Sequence, residues 1–182
     1  SLKVILCGKL YDGIHAELKE NQKILVEGNQ IAAVGADLEI PESAEIINLS
    51  DATVTPGMID AHIHLDYFDW HTIRQEVYDN SEEAKTLAIL HSVQKTLSRG
   101  FTTVRHMGGI TSNSFGVLDV KRSIEKGYFT GSRIVAAPRL LCTAGSHGDL
   151  SQGFSRNPAL SHYLMGQHPS LGSAKASLAP AV

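Results

Sequence analysis

The sequence has 182 residues, 42 % of them apolar, enough to build a real hydrophobic core in a domain of ordinary size. The net charge is −3 and no run of Lys or Arg stands out, which argues against a nucleic-acid or anionic-membrane binder. No apolar stretch approaches the roughly 18 residues of a membrane-spanning helix, and Val4 to Cys7 is too short for a signal-peptide core.

Taken in chain order, the first fifty-odd residues read as β-structure. Val4 to Cys7, Lys23 to Glu27, Gln30 to Val34, Glu45 to Leu49 and Ala52 to Val54 are short apolar strands. Gly28-Asn29 is a two-residue hairpin turn, since both residues tolerate positive φ. Asp12-Gly13, Gly35 and Pro41 supply the other breaks, and together the strands make a small sheet.

After the Pro56-Gly57 turn the pattern changes. Met58 to Leu65 reads as a strand, followed by a loop holding Tyr67, Phe68 and Trp70. These aromatics could line a pocket or simply pack. Ser81 is suited to cap a helix, with Glu82 and Glu83 in its positive first turn. Ile89, Leu90, Val93 and Leu97 form its apolar stripe, and Gly100 ends it. Phe101 to Arg105 is the next strand, about Ser114 to Lys126 a second helix with Val117, Val120 and Ile124 inward, and Arg133 to Ala137 a third strand. Alternation of strand and helix predicts βαβ units and a parallel sheet. From about Gly166 the chain is rich in Gly, Ser, Ala and Pro without acidic residues, and reads as a loop or disordered tail.

The chemistry concentrates at Asp60, His62 and His64. On a regular strand these alternate to one face, and two residues rise about 6.6 Å, so both imidazoles can converge on one ion. His-x-His alone is weak and also serves metal in cupin-type barrels. Here it ends an apolar strand that opens a βα series, the place where βα barrels build their sites. His62 and His64 are therefore the candidate metal ligands. His106 is either an additional ligand or an ordinary hydrogen-bonded histidine. Arg105 is read as structural. His71, His91, His162 and His168 have no motif around them, and His91 falls on the first helix, away from the site. Cys7 and Cys142 form no CxxC pair and read as reduced thiols of a cytoplasmic protein.

Thr55-Pro56-Gly57-Met58-Ile59-Asp60-Ala61-His62-Ile63-His64 resembles the first barrel strand of the amidohydrolase superfamily, and Gly100-Phe101-Thr102-Thr103-Val104-Arg105 resembles its second. Gly131-Ser132-Arg133-Ile134 with Thr143 to Asp149 is similar to the third strand and loop of the branch of Xaa-Pro dipeptidases and imidazolonepropionase-like enzymes. The resemblance spans about Leu2 to Tyr163. It implies an α/β fold: a (β/α)8 TIM-type barrel, with only its first strands here, beside a small N-terminal β-sandwich. The expected divisions are 1–55 for the sandwich part, 56–165 for the first βα units, and 166–182 for the tail. It implies zinc, binuclear in the complete enzyme, held by His62 and His64 together with a carboxylated Lys, two His and an Asp from later strands. It also implies that His147 binds a substrate carboxylate, against the plainer reading of a loop histidine bonded to a neighbour such as Asp149. The chain departs from the branch at His106, where Asp is usual.

The expected activity is hydrolysis of an amide bond in a dipeptide or N-acyl amino acid. The alternatives are hydrolysis of a cyclic C–N bond, as by an imidazolonepropionase or deaminase, or a non-catalytic truncated product. The general base is expected beyond this chain, so the 182 residues alone are expected to be inactive. A small-molecule or dipeptide substrate is the expected partner. Neither nucleic acid nor membrane is expected, and homo-oligomerisation is left open.

Overall fold

The computed structural model describes residues 1–66, 80–109 and 115–138. The chain divides into two compact units, one ending at Pro56 and one beginning at Gly57.

The first unit is a four-stranded sheet of order β3-β2-β1-β4, with β1 Leu2–Leu10, β2 Lys19–Glu27, β3 Gln30–Gly35 and β4 Glu45–Val54. β1 pairs antiparallel with β2 and parallel with β4. The hairpin turn falls where expected, between Glu27 and Gln30. Only Gly28 takes a positive φ, at 63°, so the turn uses glycine at its first central position and leaves Asn29 unstrained. Two expected strands fuse into β4, and its register against β1 slips around Ser50-Asp51, where Asn48 Oδ1 accepts the Ser50 N–H. β2 begins at the polar run from Lys19, which carries no apolar alternation to announce a strand. Asp12 closes the turn after β1. The His15 N–H, the Lys19 ammonium, the His15 ring and the Ile14 N–H hold its carboxyl well below the usual carboxylate range. Cys7, Leu10 and Ile24 form the buried cluster, and burial pushes the Cys7 thiol pKa up, which makes it a poor nucleophile.

The second unit runs β5 Met58–Ile63, α1 Glu82–Ser98, β6 Phe101–His106, α2 Gly116–Glu125 and β7 Arg133–Ala136. Its three strands are parallel in the order β5-β6-β7, so consecutive strands are neighbours. α1 starts as expected, with Ser81 Oγ accepting the Ala84 N–H at 3.1 Å. It ends at Arg99 before Gly100, whose φ of 89° only glycine adopts freely. Ile89 and Val93 from α1, Val117 and Val120 from α2, and Val104 and Ile134 from the strands form the core with Leu65. Each such burial contributes on the order of 1.5–3 kcal/mol relative to exposure. Lys85 also lies on the buried side of α1, its ammonium 2.9 Å from Glu82. Ser132, fully buried, stitches α1 to the strands. Its Oγ donates to the Phe101 carbonyl at 2.6 Å and meets Thr96 Oγ1 at 2.9 Å.

In this unit several expected boundaries shift, two of them by more than one residue. The strand expected to reach Leu65 stops at Ile63. The second helix is shorter, and its start at Ser114 falls outside the described residues. Among the described residues, no helix is long and apolar enough to cross a membrane.

Candidate metal centre

His62 and His64 sit at the C-terminal end of β5, and the local register decides how they point. Asp60 pairs with Val104 and Ile63 with His106, so β5 spends three steps where β6 spends two. That extra residue is a bulge, which bends the strand and re-aims a side chain. It also interrupts the alternation. Asp60 and Ile63 both fall on the side of β6 that carries Val104 and His106, and Ile63 packs against the helix-covered core. The bulge falls between Asp60 and the two histidines, so regular strand alternation does not by itself relate their directions. Asp60 Oδ1 accepts the His62 N–H at 3.0 Å. Arg105 closes the bulge from the neighbouring strand, its Nε donating to the Ala61 carbonyl at 2.6 Å, a structural role as expected.

The two candidate ligands do come together. The His62 and His64 ring centres are 5.5 Å apart at 70°. Two imidazoles sharing one ion at about 2.0–2.1 Å per nitrogen place their ring centres about 5 Å apart, a separation similar to this one. His62 is exposed and His64 half-buried. His64 Nδ1 lies 2.6 Å from the Gly108 carbonyl. A carbonyl can only accept, so the proton is on Nδ1 and the lone pair on Nε2. This is the arrangement by which a protein usually fixes a metal-ligating histidine. The donor chemistry thus fits a divalent ion such as zinc. Among the described residues, no group of three or more His, Cys, Asp or Glu is placed to hold an ion.

His106 is a residue whose role the sequence left open. It is 1 % exposed, and its Nδ1 accepts the Leu65 N–H at 3.1 Å. The neutral ring therefore carries its proton on Nε2. Its ring centre is 6.3 Å from that of His64. Burial first, and the charge of His64 second, lower its pKa from 6.5 to about 4. Asp66 was not anticipated. It is 5 % exposed, and its carboxylate lies where a side chain on Gly109 would have to go. The spacing His62, His64, Asp66 was the available signal.

A groove of about 390 Å³ runs between β5 and α1, lined by Asp60, Ile63, His64, His91, Lys95 and Arg99, among others. His91, expected away from the site, lines the same groove as His64. His147, Tyr67, Phe68, Trp70, His71, His162, His168, Cys142 and the tail lie outside the described residues.

Residues 53–159 match the model of the amidohydrolase family, and the chain belongs to that family. Its structure is similar to the crystal structure of a Xaa-Pro dipeptidase with bound methionine in the active site. The TM-score is 0.74 and the identity 28 %, over 86 % of this chain and 38 % of that one. In sequence it is similar to a dihydroorotase of Mycobacterium leprae, 46 % identical over 46 residues, 25 % of this chain and 11 % of that protein. It is likewise 42 % identical over 55 residues to an imidazolonepropionase of a Geobacillus species, covering 26 % of this chain and 13 % of that protein. The chain thus spans well under half the length of these relatives. Together with the parallel βαβ arrangement, the similarity implies a fold of the TIM-barrel type.

Proposed function

We propose that this chain carries part of the active site of a metal-dependent hydrolase that cleaves the amide bond of a dipeptide or N-acyl amino acid, with His62 and His64 as zinc ligands. The observation that supports the reading is the pair of imidazoles with ring centres 5.5 Å apart at a parallel strand end, with His64 Nδ1 on the Gly108 carbonyl. The similarity to a Xaa-Pro dipeptidase over 86 % of the chain supports the substrate class. Bound zinc supplies Lewis acidity and an acidified water. The chain's own part is to bind the metal through His62 and His64 and to keep the His64 lone pair on Nε2. His147 is proposed to meet the substrate carboxylate, as a partly protonated imidazole suits an anion. Binuclear zinc, with further ligands and the general base from later barrel strands, belongs to the same proposal.

The four-stranded sheet is proposed as one layer of a β-sandwich, because both of its faces are apolar. Val4 and Leu25 pair on one side, and Ile5, Ile24 and Cys7 lie on the other. The sequence matches to a dihydroorotase and an imidazolonepropionase favour a second reading, hydrolysis of a cyclic C–N bond.

The test is to strip the full-length protein of metal, restore zinc, and assay it beside a His62→Ala control. The panel contains Xaa-Pro and other dipeptides, N-acyl amino acids and cyclic amides. Zinc-dependent dipeptide cleavage that disappears in the control supports the first reading. Ring opening without dipeptide cleavage supports the second. Hydrolysis that survives both metal removal and the substitution overturns the metal site.

A further inference from the structure

Three contacts from one short segment hold the residues on both sides of His64. The Met107 N–H donates to the Ile63 carbonyl at 3.0 Å, the Gly108 carbonyl accepts from His64 Nδ1 at 2.6 Å, and His106 Nδ1 accepts the Leu65 N–H at 3.1 Å. The backbone before His64, its ring, and the backbone after it are thus each fixed by consecutive residues. The segment is itself anchored: the Ala137 N–H donates to the His106 carbonyl at 2.9 Å, and Gly108 has a φ of 93°, open to glycine at little cost. β5 needs such anchoring. It ends at Ile63, one residue before the ligand, and it carries a bulge just upstream, so strand pairing alone does not fix His64.

Of the three contacts, two use the backbone of the segment and do not depend on the side chain at position 106. The third needs an acceptor at position 106. A histidine that accepts an N–H through Nδ1 holds its proton on Nε2, and cannot offer the Nδ1 lone pair to an ion as well.

Resting on the metal-site reading above, we propose that His106 is a positioning residue. By accepting the Leu65 N–H, it locks the backbone after His64, so that His64 keeps its Nδ1–H on Gly108 and its Nε2 aimed as a ligand. His106 does not itself ligate. Its work is done as a neutral acceptor, so an asparagine, whose side-chain oxygen falls near the place of Nδ1, can replace it, whereas leucine cannot.

The experiment compares wild-type protein with His106→Asn and His106→Leu, each checked for folding by urea denaturation. Long-range proton–nitrogen NMR of the metal-free proteins reads the histidine tautomers. Zinc affinity is read by competition with a chromophoric chelator, beside His64→Ala. The expected result is His106 protonated on Nε2 and His64 on Nδ1 in the wild type. His106→Leu loses the single His64 tautomer and binds zinc about 10- to 100-fold more weakly, the usual cost of removing an outer support. His106→Asn restores both. A folded His106→Leu with unchanged His64 tautomer and zinc affinity overturns the proposal, as does a folded His106→Asn that behaves like the leucine variant. If His64→Ala leaves zinc affinity untouched, the metal-site reading fails instead, and the tautomer measurement still decides whether His106 positions His64.

Discussion

The buried His106 makes folding stability depend on pH in a calculable way. The perturbation is acidification of the metal-free protein. In the folded chain the ring is 1 % exposed, accepts an N–H through Nδ1 and has its pKa lowered from 6.5 to about 4, by burial and then by His64. In the unfolded chain the pKa returns to its ordinary value. The unfolded state therefore binds more protons across the interval, and stability falls as pH falls. The contribution is fully present above the unfolded pKa and is lost as pH drops through the folded one. Linkage gives a loss on the order of 2 kcal/mol between about pH 7 and about pH 5, and about 3 kcal/mol below the folded pKa. The assay is urea unfolding across this range for wild type and His106→Asn, which keeps the acceptor and removes the titration. The wild type should lose about 2 kcal/mol more than the variant. Parallel pH profiles for the two proteins would refute the account of a neutral, buried acceptor.

Two further substitutions test the frame around the site. Ser132→Ala removes the hydroxyl that serves the Phe101 carbonyl and Thr96 in a fully buried place, and should cost about 1–3 kcal/mol in denaturant unfolding. Gly109→Ala places a methyl group onto the Asp66 carboxylate, so it should cost about 1–3 kcal/mol, whereas a similar change at Gly127, where a Cβ meets nothing, should lose only the cost of its positive φ.

Much of the second unit was legible because its signals are local. Ser81 caps α1 through a bond three residues away, Gly100 ends it with a positive φ, and Ile89 and Val93 mark its buried stripe at helical spacing. The His62 and His64 pair was legible for the same reason, since two residues of strand separate them. What the sequence concealed is set by partners far along the chain. The bulge between Asp60 and Ile63 exists only against β6, and the regular alternation that would relate Asp60 to the two histidines does not run through it. His106 reads as a lone histidine until Leu65, 41 residues earlier, arrives with its N–H. Lys85 interrupts the apolar stripe of α1, and its burial depends on pairing with Glu82. In the first unit, the polar start of β2 is strand because β1 pairs with it from Lys19 onward, not because its own composition favours extension.

The account rests most heavily on His62 and His64 sharing one ion. Crystals of the protein grown with zinc, measured at the zinc absorption edge, test this directly. The predicted result is an anomalous peak about 2.0–2.1 Å from one nitrogen of each ring, through Nε2 at His64, with His64 Nδ1 still on the Gly108 carbonyl. A zinc peak bound by neither histidine, or by only one of them, would contradict it.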